Sequence, residues 1–294
     1  MAACRLSADA PRSKLVRRYG RWAGITAGGV VNLFLPTIAF LAAGSIGGLL
    51  LGLVGVGTAL VAVPLLIMFL PAFSVDMAAA PLVALATSMA IVSVGSVSSV
   101  LSHHRPGNID WATVRVIVPF SVVGVICGGL VAGRLSGDTL KWVFCSFLAF
   151  IALHMLWPGK PTTSHRSTSR PQFRTVGFLV GLAGSMIGAG GGVFMVPFLN
   201  HRGFQMKRAV ATSTMIGLPV TVVGALFYSV QSAPHGGNYM LGYIFVPAFL
   251  GISLGTVIGA PFGARLASRV PAATLKRVFG FFLVLLALKL AWNG

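Results

Sequence analysis

Three long stretches of this chain carry no Asp, Glu, Lys or Arg. They lie between Arg21 and Asp76, between Asp76 and Arg105, and between Arg208 and Arg265. A helix that crosses the hydrocarbon core of a bilayer needs about 20 mostly apolar residues, and each stretch is long enough for at least one. Only helices and closed barrels can span lipid, and these runs are too continuously apolar for the alternating strands of a barrel. The chain is therefore predicted to be an all-α, polytopic helical membrane protein.

The composition and the positions of the tryptophans agree with that prediction. Only 9% of the residues are charged, whereas soluble domains contain about 25%. A net charge of +18 would suggest nucleic acid in a soluble protein. Here the cations lie in tails and connections, as the positive-inside rule requires, so we predict a lipid bilayer as partner and no nucleic acid. All five tryptophans lie at the edges of apolar runs, as in an interfacial belt: Trp22, Trp111, Trp142, Trp157 and Trp292.

An apolar segment rich in glycine occurs twice. The first copy, residues 52–64, reads GLVGVGTALVAVP, and the second, residues 185–197, reads SMIGAGGGVFMVP. Each is followed by an Ala-Thr-Ser triplet, at 86–88 and at 211–213. A hydrophobic segment that glycine breaks at corresponding places in two halves is typical of a transporter built from repeats, and it points to the binding site.

The charges of the connections predict how the chain is threaded. The linker at 159–174 and the connection at 202–208 are both rich in Lys and Arg, so both are predicted to be cytoplasmic. The stretch at 175–200 would then enter the membrane and return to the same face as a re-entrant hairpin, bent at Gly188–Gly192. The alternative is that each glycine segment is a simple kinked span, which would put 202–208 outside.

This threading divides the chain into four parts. They are a cytoplasmic basic tail (1–21), a first membrane repeat with an extra N-terminal span (22–158), a cytoplasmic linker (159–174) and a second membrane repeat (175–294). Each repeat would hold one hairpin and three spans, so the second would be inverted relative to the first. Inverted repeats place a site near the midplane between the halves.

Within these repeats the apolar runs predict individual spans. In the first run we expect the extra span at about 22–42 and a hairpin at about 44–70. Glycine every fourth residue from Gly251 to Gly263, with similar pairs between Gly124 and Gly133, predicts close helix packing. The remaining spans are expected near 78–102, 112–133, 139–157, 209–231, 241–263 and 275–293.

The chain has no carboxylate at the predicted membrane depth. It contains no glutamate, and its four acidic residues all lie in tails or connections: Asp9, Asp76, Asp110 and Asp138. Cation pumps and carboxylate-based proton relays normally need such a group within the membrane. Cation transport and the usual proton coupling are therefore disfavoured, which leaves anions or neutral solutes.

An anion site can be built from the backbone alone. A break in a membrane helix leaves open N–H groups at the start of the following half-helix, where the helix carries roughly half a positive charge. Glycine permits the turn dihedrals and the close ligand approach that such a break needs. The predicted substrate-binding glycines are Gly55 and Gly57 in the first half and Gly188, Gly190, Gly191 and Gly192 in the second.

The two Ala-Thr-Ser triplets add hydroxyl groups inside predicted spans. The alternative is that these hydroxyls bond back to the carbonyls of their own helix. Because the triplet is duplicated, we add its hydroxyls to the predicted substrate site as donors: Thr87, Ser88, Thr212 and Ser213.

Other kinds of site fit the chain less well. The glycines at 188–192 lack the Lys-Ser/Thr of a P-loop and the strand–helix context of a dinucleotide fold. The pair His103-His104 could bind a metal or shuttle protons, but a wet interfacial loop is the preferred explanation. No Ser/His/Asp set is suggested, so we predict no enzyme, metal or cofactor. An anion channel stays open beside a carrier.

The residues named above resemble the TauE/SafE sulfite exporter family. The resemblance rests on the glycine-broken segments, the Val-Pro pairs that close them, the triplets and the sequence GNIDW at 107–111, and it covers about residues 40–293. The first half departs from it at Thr58-Ala59, where more glycine is expected. The resemblance implies export of a small sulfur-containing anion such as sulfite or an organosulfonate. We expect a multi-pass permease of the bacterial inner membrane, with a cytoplasmic N-terminus and alternating access.

Overall fold

The computed structural model describes most of the membrane part of the chain. The described residues are 31–54, 58–73, 75–103, 109–156, 170–231 and 239–267, with 280–281, 284–285 and 287–289 near the C-terminus. Its helices are α1 (Val31–Val54), α2 (Thr58–Phe69), α3 (Ala80–His103), α4 (Trp111–Ala132), α5 (Gly137–Leu156), α6 (Arg170–Ile187), α7 (Gly192–His201), α8 (Met206–Ser229) and α9 (Val246–Ala267). A short antiparallel hairpin of β1 (Met240–Leu241) and β2 (Ile244–Phe245) precedes α9.

Four helices in the described part of the chain are long and apolar enough to cross a bilayer. They are Ala80–Leu101, Trp111–Ala132, Arg208–Ser229 and Val246–Gly263. They match the predicted spans near 78–102, 112–133, 209–231 and 241–263. The span predicted at 139–157 is helix α5, and the one at 275–293 falls mostly outside the described residues. The prediction of a polytopic helical membrane protein is confirmed.

The first apolar run differs from the prediction. We expected a span at about 22–42 and then a hairpin from about 44, but α1 continues without interruption from Val31 to Val54. A Cβ on Gly48 would lie 2.5 Å from the carbonyl oxygen of Thr256 in α9. This part of α1 therefore packs closely against α9 and does not form a turn. Residues 1–30, with the basic tail and the start of the expected extra span, lie outside the described residues.

The two halves of the chain exchange helices with each other. Helix α1 packs along α9, and α6 packs along α4. In chain order α1, α3 and α4 of the first half correspond to α6, α8 and α9 of the second, so these two pairs are equivalent. At the centre α3 packs against α8, and each also contacts the long helix that follows its counterpart, α3 with α9 and α8 with α4.

Both exchanged pairs run parallel and are held close by glycine. A Cβ on Gly128 would lie 2.5 Å from the Leu182 carbonyl oxygen, and one on Gly259 would overlap the Ser45 carbonyl oxygen. The predicted use of the glycine stripes in helix packing is therefore confirmed at these positions. The contacts advance together along both helices of each pair, at Gly44–Ile252 and Gly48–Thr256 in one pair and at Gly177–Ile117 and Gly181–Ser121 in the other.

Candidate functional site

The second glycine segment separates two helices inside the protein. Helix α6 ends at Ile187 and α7 begins at Gly192. Gly188 and Gly191 both have a φ of 74°, in the left-handed region that side chains other than glycine rarely adopt. Both are buried. The sharp change of direction at this break therefore depends on glycine at these two positions.

A hydrogen-bonded turn closes the end of α6. The Ala189 N–H donates to the Gly184 carbonyl at 2.9 Å, across Gly188 in its left-handed conformation. This is the Schellman arrangement, which satisfies carbonyl groups that would otherwise be free at a helix C-terminus. It reduces the partial negative charge that α6 presents to the break.

The start of α7 is capped by no side chain. Its first helical hydrogen bonds run from the N–H groups of Phe194 and Met195 to the Gly191 carbonyl, at 3.1 and 3.0 Å. Gly191 is the N-cap residue and has no side chain that could accept a hydrogen bond. The N–H groups that precede Phe194 in α7 have no acceptor within the helix, so this end offers donors and a positive partial charge.

Helix α7 runs back along α6. The rings of Phe173 and Phe198 meet edge to face with centroids 6.0 Å apart. A Cβ on Gly191 would lie 2.5 Å from a methyl carbon of Val180. One contact therefore joins the start of α6 to the end of α7, and the other lies beside the break. The two helices are antiparallel, and their outer ends lie at the same side.

The first glycine segment is framed by an equivalent contact. Shifted by the 133 residues between the two copies (185 − 52), Val180 and Gly191 correspond to Gly47 and Thr58. The Thr58 Oγ1 donates to the Gly47 carbonyl at 3.3 Å, so α2 also turns back along α1. The predicted site residues Gly55 and Gly57 lie outside the described residues.

The break between α6 and α7 lies against the two central helices, one from each half. A Cβ on Gly188 would lie 3.0 Å from the Cα of Leu85 in α3. A Cβ on Gly190 would lie 2.7 Å from a methyl carbon of Thr221 in α8, and one on Gly217 would lie 2.6 Å from the Gly190 carbonyl oxygen. Sequence reasoning missed Gly217 and Thr221, since helical spacing alone does not tell which residues of α8 face another segment.

The serine of each triplet donates a hydrogen bond to a backbone carbonyl at this break. The Ser88 Oγ donates to the Gly188 carbonyl at 2.9 Å, and the Ser213 Oγ donates to the Gly192 carbonyl at 3.4 Å. Both serines are buried. Neither bond is to the serine's own helix, in contrast to the structural alternative considered above. A hydroxyl has a single hydrogen, so in this conformation neither serine has a donor left for a ligand.

The two threonines accept hydrogen bonds from the other half of the chain. The Thr87 Oγ1 accepts from the N–H of Phe245, just before α9, at 2.9 Å. The Thr212 Oγ1 accepts from the N–H of Asp110, just before α4, at 3.1 Å. These bonds are equivalent under the matching of the halves, and both threonines are fully buried. Each hydroxyl keeps its own hydrogen and can still donate to an acceptor nearby.

Acidic side chains contribute little to this region. The carboxylate of Asp110 accepts a hydrogen bond from Thr113 Oγ1 at 2.6 Å. Among the residues that the structure describes, no three His, Cys, Asp or Glu side chains cluster so as to hold a metal ion. The arrangement is thus made of backbone dipoles and hydroxyl groups, which can solvate a small anion without a fixed positive side chain.

Comparisons with known proteins identify the family. The family model described as "Sulfite exporter TauE/SafE" matches residues 40–290. A protein of Haemophilus influenzae named "Probable membrane transporter protein" is 33% identical over 261 residues, which cover 88% of this chain and 99% of the relative. A relative from Methanocaldococcus jannaschii with the same descriptive name is 26% identical and covers 86% of this chain and 96% of its own. No solved structure matches the chain.

These matches confirm the resemblance found in the glycine segments and the triplets. The family model matches most of the chain. Both relatives are named as membrane transporters, and each aligns with this chain over nearly its full length. The chain is therefore a membrane transporter, and it belongs to the TauE/SafE sulfite exporter family.

Proposed function

We propose that this transporter is a permease that exports a small oxyanion, sulfite or an organosulfonate, across the bacterial inner membrane. The observation that carries the proposal is the uncapped start of α7, which has a buried N-cap glycine and follows a break with two left-handed glycines that lies against the central helices of both halves. A helix N-terminus of this kind attracts anions. The family description adds sulfite as the first substrate to test.

The proposed site uses the ten predicted residues in three different roles. The glycines of the second break, Gly188 and Gly190–Gly192, shape the backbone that presents N–H groups to the anion, and Gly55 and Gly57 would do the same from the first half. Thr87 and Thr212 supply hydroxyl hydrogens, since each accepts a backbone N–H and keeps its own hydrogen.

Ser88 and Ser213 act on the same anion indirectly in the conformation described. Each donates to a carbonyl oxygen of the break. A carbonyl oxygen carries partial negative charge and would repel the substrate at short range. The serine bond offsets that charge and holds the carbonyl in a fixed direction.

We infer further that the repeats are inverted and that each glycine segment is a re-entrant hairpin. The antiparallel return of α7 along α6 supports the hairpin, since both outer ends then lie at the same face. The parallel, exchanged pairs α1–α9 and α4–α6 support an inverted pseudo-symmetry. Alternating access would then be a movement of one exchanged pair relative to the other around a site at the midplane.

A flux assay tests this function. Purified protein in liposomes should export sulfite or an organosulfonate with saturable rates, and an excess of unlabelled substrate on the opposite side should accelerate exchange, because a carrier returns loaded. Linear, non-saturable flux without counterflow would instead favour the anion channel. Flux of chloride alone, with no sulfur oxyanion transported, would contradict the proposed substrate class.

A matched pair of glycine variants links the flux to the site. Gly190→Val should abolish transport, since even its Cβ would lie 2.7 Å from Thr221. Gly133→Val is the control, because the nearest atoms to a Cβ there are 3.4 Å away or more. If both variants insert into the membrane equally and transport equally, the break between α6 and α7 is not part of the substrate path.

A further inference from the structure

A cavity of about 440 Å³ lies between α4 and α8, outside the site described above. Trp111, Arg115 and Pro119 line it from α4, and Met215 and Pro219 line it from α8. Arg115 and Pro119 are exposed, so the cavity opens at the surface of the helix bundle and not into its interior. On a membrane protein such an opening faces lipid.

Each of the two helices contributes one proline to the lining of this cavity. Pro119 lies inside α4 and Pro219 inside α8, and both border the cavity. Each lacks an N–H and clashes with the preceding turn, which kinks the helix. Each also deprives the carbonyl four residues earlier of its helical donor. Those carbonyls belong to Arg115 and Met215, which line the same cavity.

Arginine charge lies at one end of this groove. The start of α4 lies level with Thr212, six residues inside α8, since the Asp110 N–H before α4 donates to the Thr212 Oγ1. Arg115 lies one turn inside the exposed Trp111, about 6 Å along the helix. Arg208, also exposed, lies one turn before Thr212. In the described part of the chain no carboxylate pairs with Arg115, and the Asp110 carboxylate is bonded to Thr113.

The other end of the groove is apolar. Beyond Pro219, α8 presents Val222 and Leu226 to the exterior, 38% and 61% exposed. They follow at the spacing of one helical face. The groove thus begins at a cation beside an interfacial tryptophan and continues along hydrocarbon-facing side chains. This is the order of groups that a phospholipid presents from headgroup to acyl chain.

We propose that this groove binds an anionic phospholipid whose headgroup carries hydroxyls, such as phosphatidylglycerol. The phosphate lies against Arg115, and one acyl chain lies along Pro119, Pro219 and Val222. The headgroup hydroxyls donate to the Arg115 and Met215 carbonyls, which the prolines leave without helical donors. Basic pockets between membrane helices bind anionic headgroups in this way. Under the predicted threading this is the cytoplasmic leaflet.

Native mass spectrometry of the full chain in detergent tests this site. Phosphatidylglycerol and phosphatidylcholine with identical acyl chains are titrated separately, and we expect tighter retention of phosphatidylglycerol. Arg115→Gln should weaken its binding about fivefold, the effect of about 1 kcal/mol for one arginine near an anionic headgroup. Arg134→Gln, which removes an exposed arginine at the opposite end of α4, should leave it unchanged. Arg115→Lys should retain most of the binding.

Several results would overturn the proposal. Equal retention of the two lipids, or unchanged binding in Arg115→Gln, would exclude a headgroup site. Glycerol 3-phosphate binding as tightly as the lipid would show a site for free anions, and displacement of the lipid by sulfite would assign the groove to substrate. Met215→Trp, which fills the apolar part, should reduce lipid binding in correctly folded protein. Because the readout is lipid and not flux, its failure leaves the proposed transport function untouched.

Discussion

Replacing Gly191 by alanine tests whether the start of α7 must keep its present geometry. The residue has a φ of 74°, and a left-handed conformation costs an L-residue about 1–2 kcal/mol. The new Cβ would also lie 2.5 Å from a methyl carbon of Val180, and overpacking of a closed site costs about 1–3 kcal/mol. Together these terms predict a destabilisation of about 2–5 kcal/mol, unless α7 moves away from α6 to relieve it.

Both responses are measurable in the purified protein. If α7 stays in place, the unfolding midpoint falls and transport is retained at low temperature. If α7 moves, the open N–H groups shift away from the central helices and sulfite flux in liposomes falls sharply. Adding Val180→Ala relieves the steric overlap, so Gly191→Ala should cost only the backbone conformation when it is measured relative to the Val180→Ala single variant.

Gly133→Ala is the matched control for this experiment. Gly133 has a φ of −67°, and the nearest atoms to a new Cβ are at 3.4 Å or beyond. Alanine is therefore accommodated there, and it should leave stability unchanged or raise it by up to about 1 kcal/mol. If Gly191→Ala behaves like Gly133→Ala in both stability and flux, the left-handed start of α7 is not required and the reasoning is refuted.

Three further changes test other parts of the account. Ser88→Ala leaves the buried Gly188 carbonyl without its donor, so it should lower the free energy of unfolding by about 1–3 kcal/mol and raise the KM for sulfite. An unchanged KM would contradict an effect of this serine on substrate binding. Thr212→Val removes the acceptor of the Asp110 N–H and a hydroxyl donor, so flux should fall at least about tenfold while Thr212→Ser stays active; equal flux in both would contradict a donor role. Gly259→Leu should prevent α9 from packing on α1, since even a Cβ there would overlap the Ser45 carbonyl; a normal yield of folded protein by size-exclusion chromatography would argue against this packing.

The membrane spans and the second helix break follow directly from the sequence. Uncharged apolar runs report burial in lipid, and they locate α3, α4, α8 and α9 to within a few residues. Glycine clusters report backbone conformations that other residues avoid, which is why Gly188–Gly192 coincides with the gap between α6 and α7. Trp111 and Trp142 are 46% and 60% exposed, and their place at the membrane interface stays a prediction.

The contacts between segments could not be read from the same patterns. Ser88 reaches Gly188, which is 100 residues away, and Thr87 reaches Phe245, which is 158 residues away. Hydropathy and glycine spacing describe one helix at a time and do not identify which helix packs against it. For the same reason the sequence predicted a boundary near residue 43, between the extra span and the first hairpin. In the structure α1 is continuous there, and Gly44 packs against Ile252 of α9.

The central claim is that backbone N–H groups at the start of α7, and not an ionised side chain, bind the transported anion. An experimental structure of the protein with a bound sulfur oxyanion tests it most directly. The account predicts density for the anion within about 3 Å of the N–H groups that precede Phe194, between α3 and α8. Density centred on arginine or lysine side chains, with the start of α7 unoccupied, would contradict it.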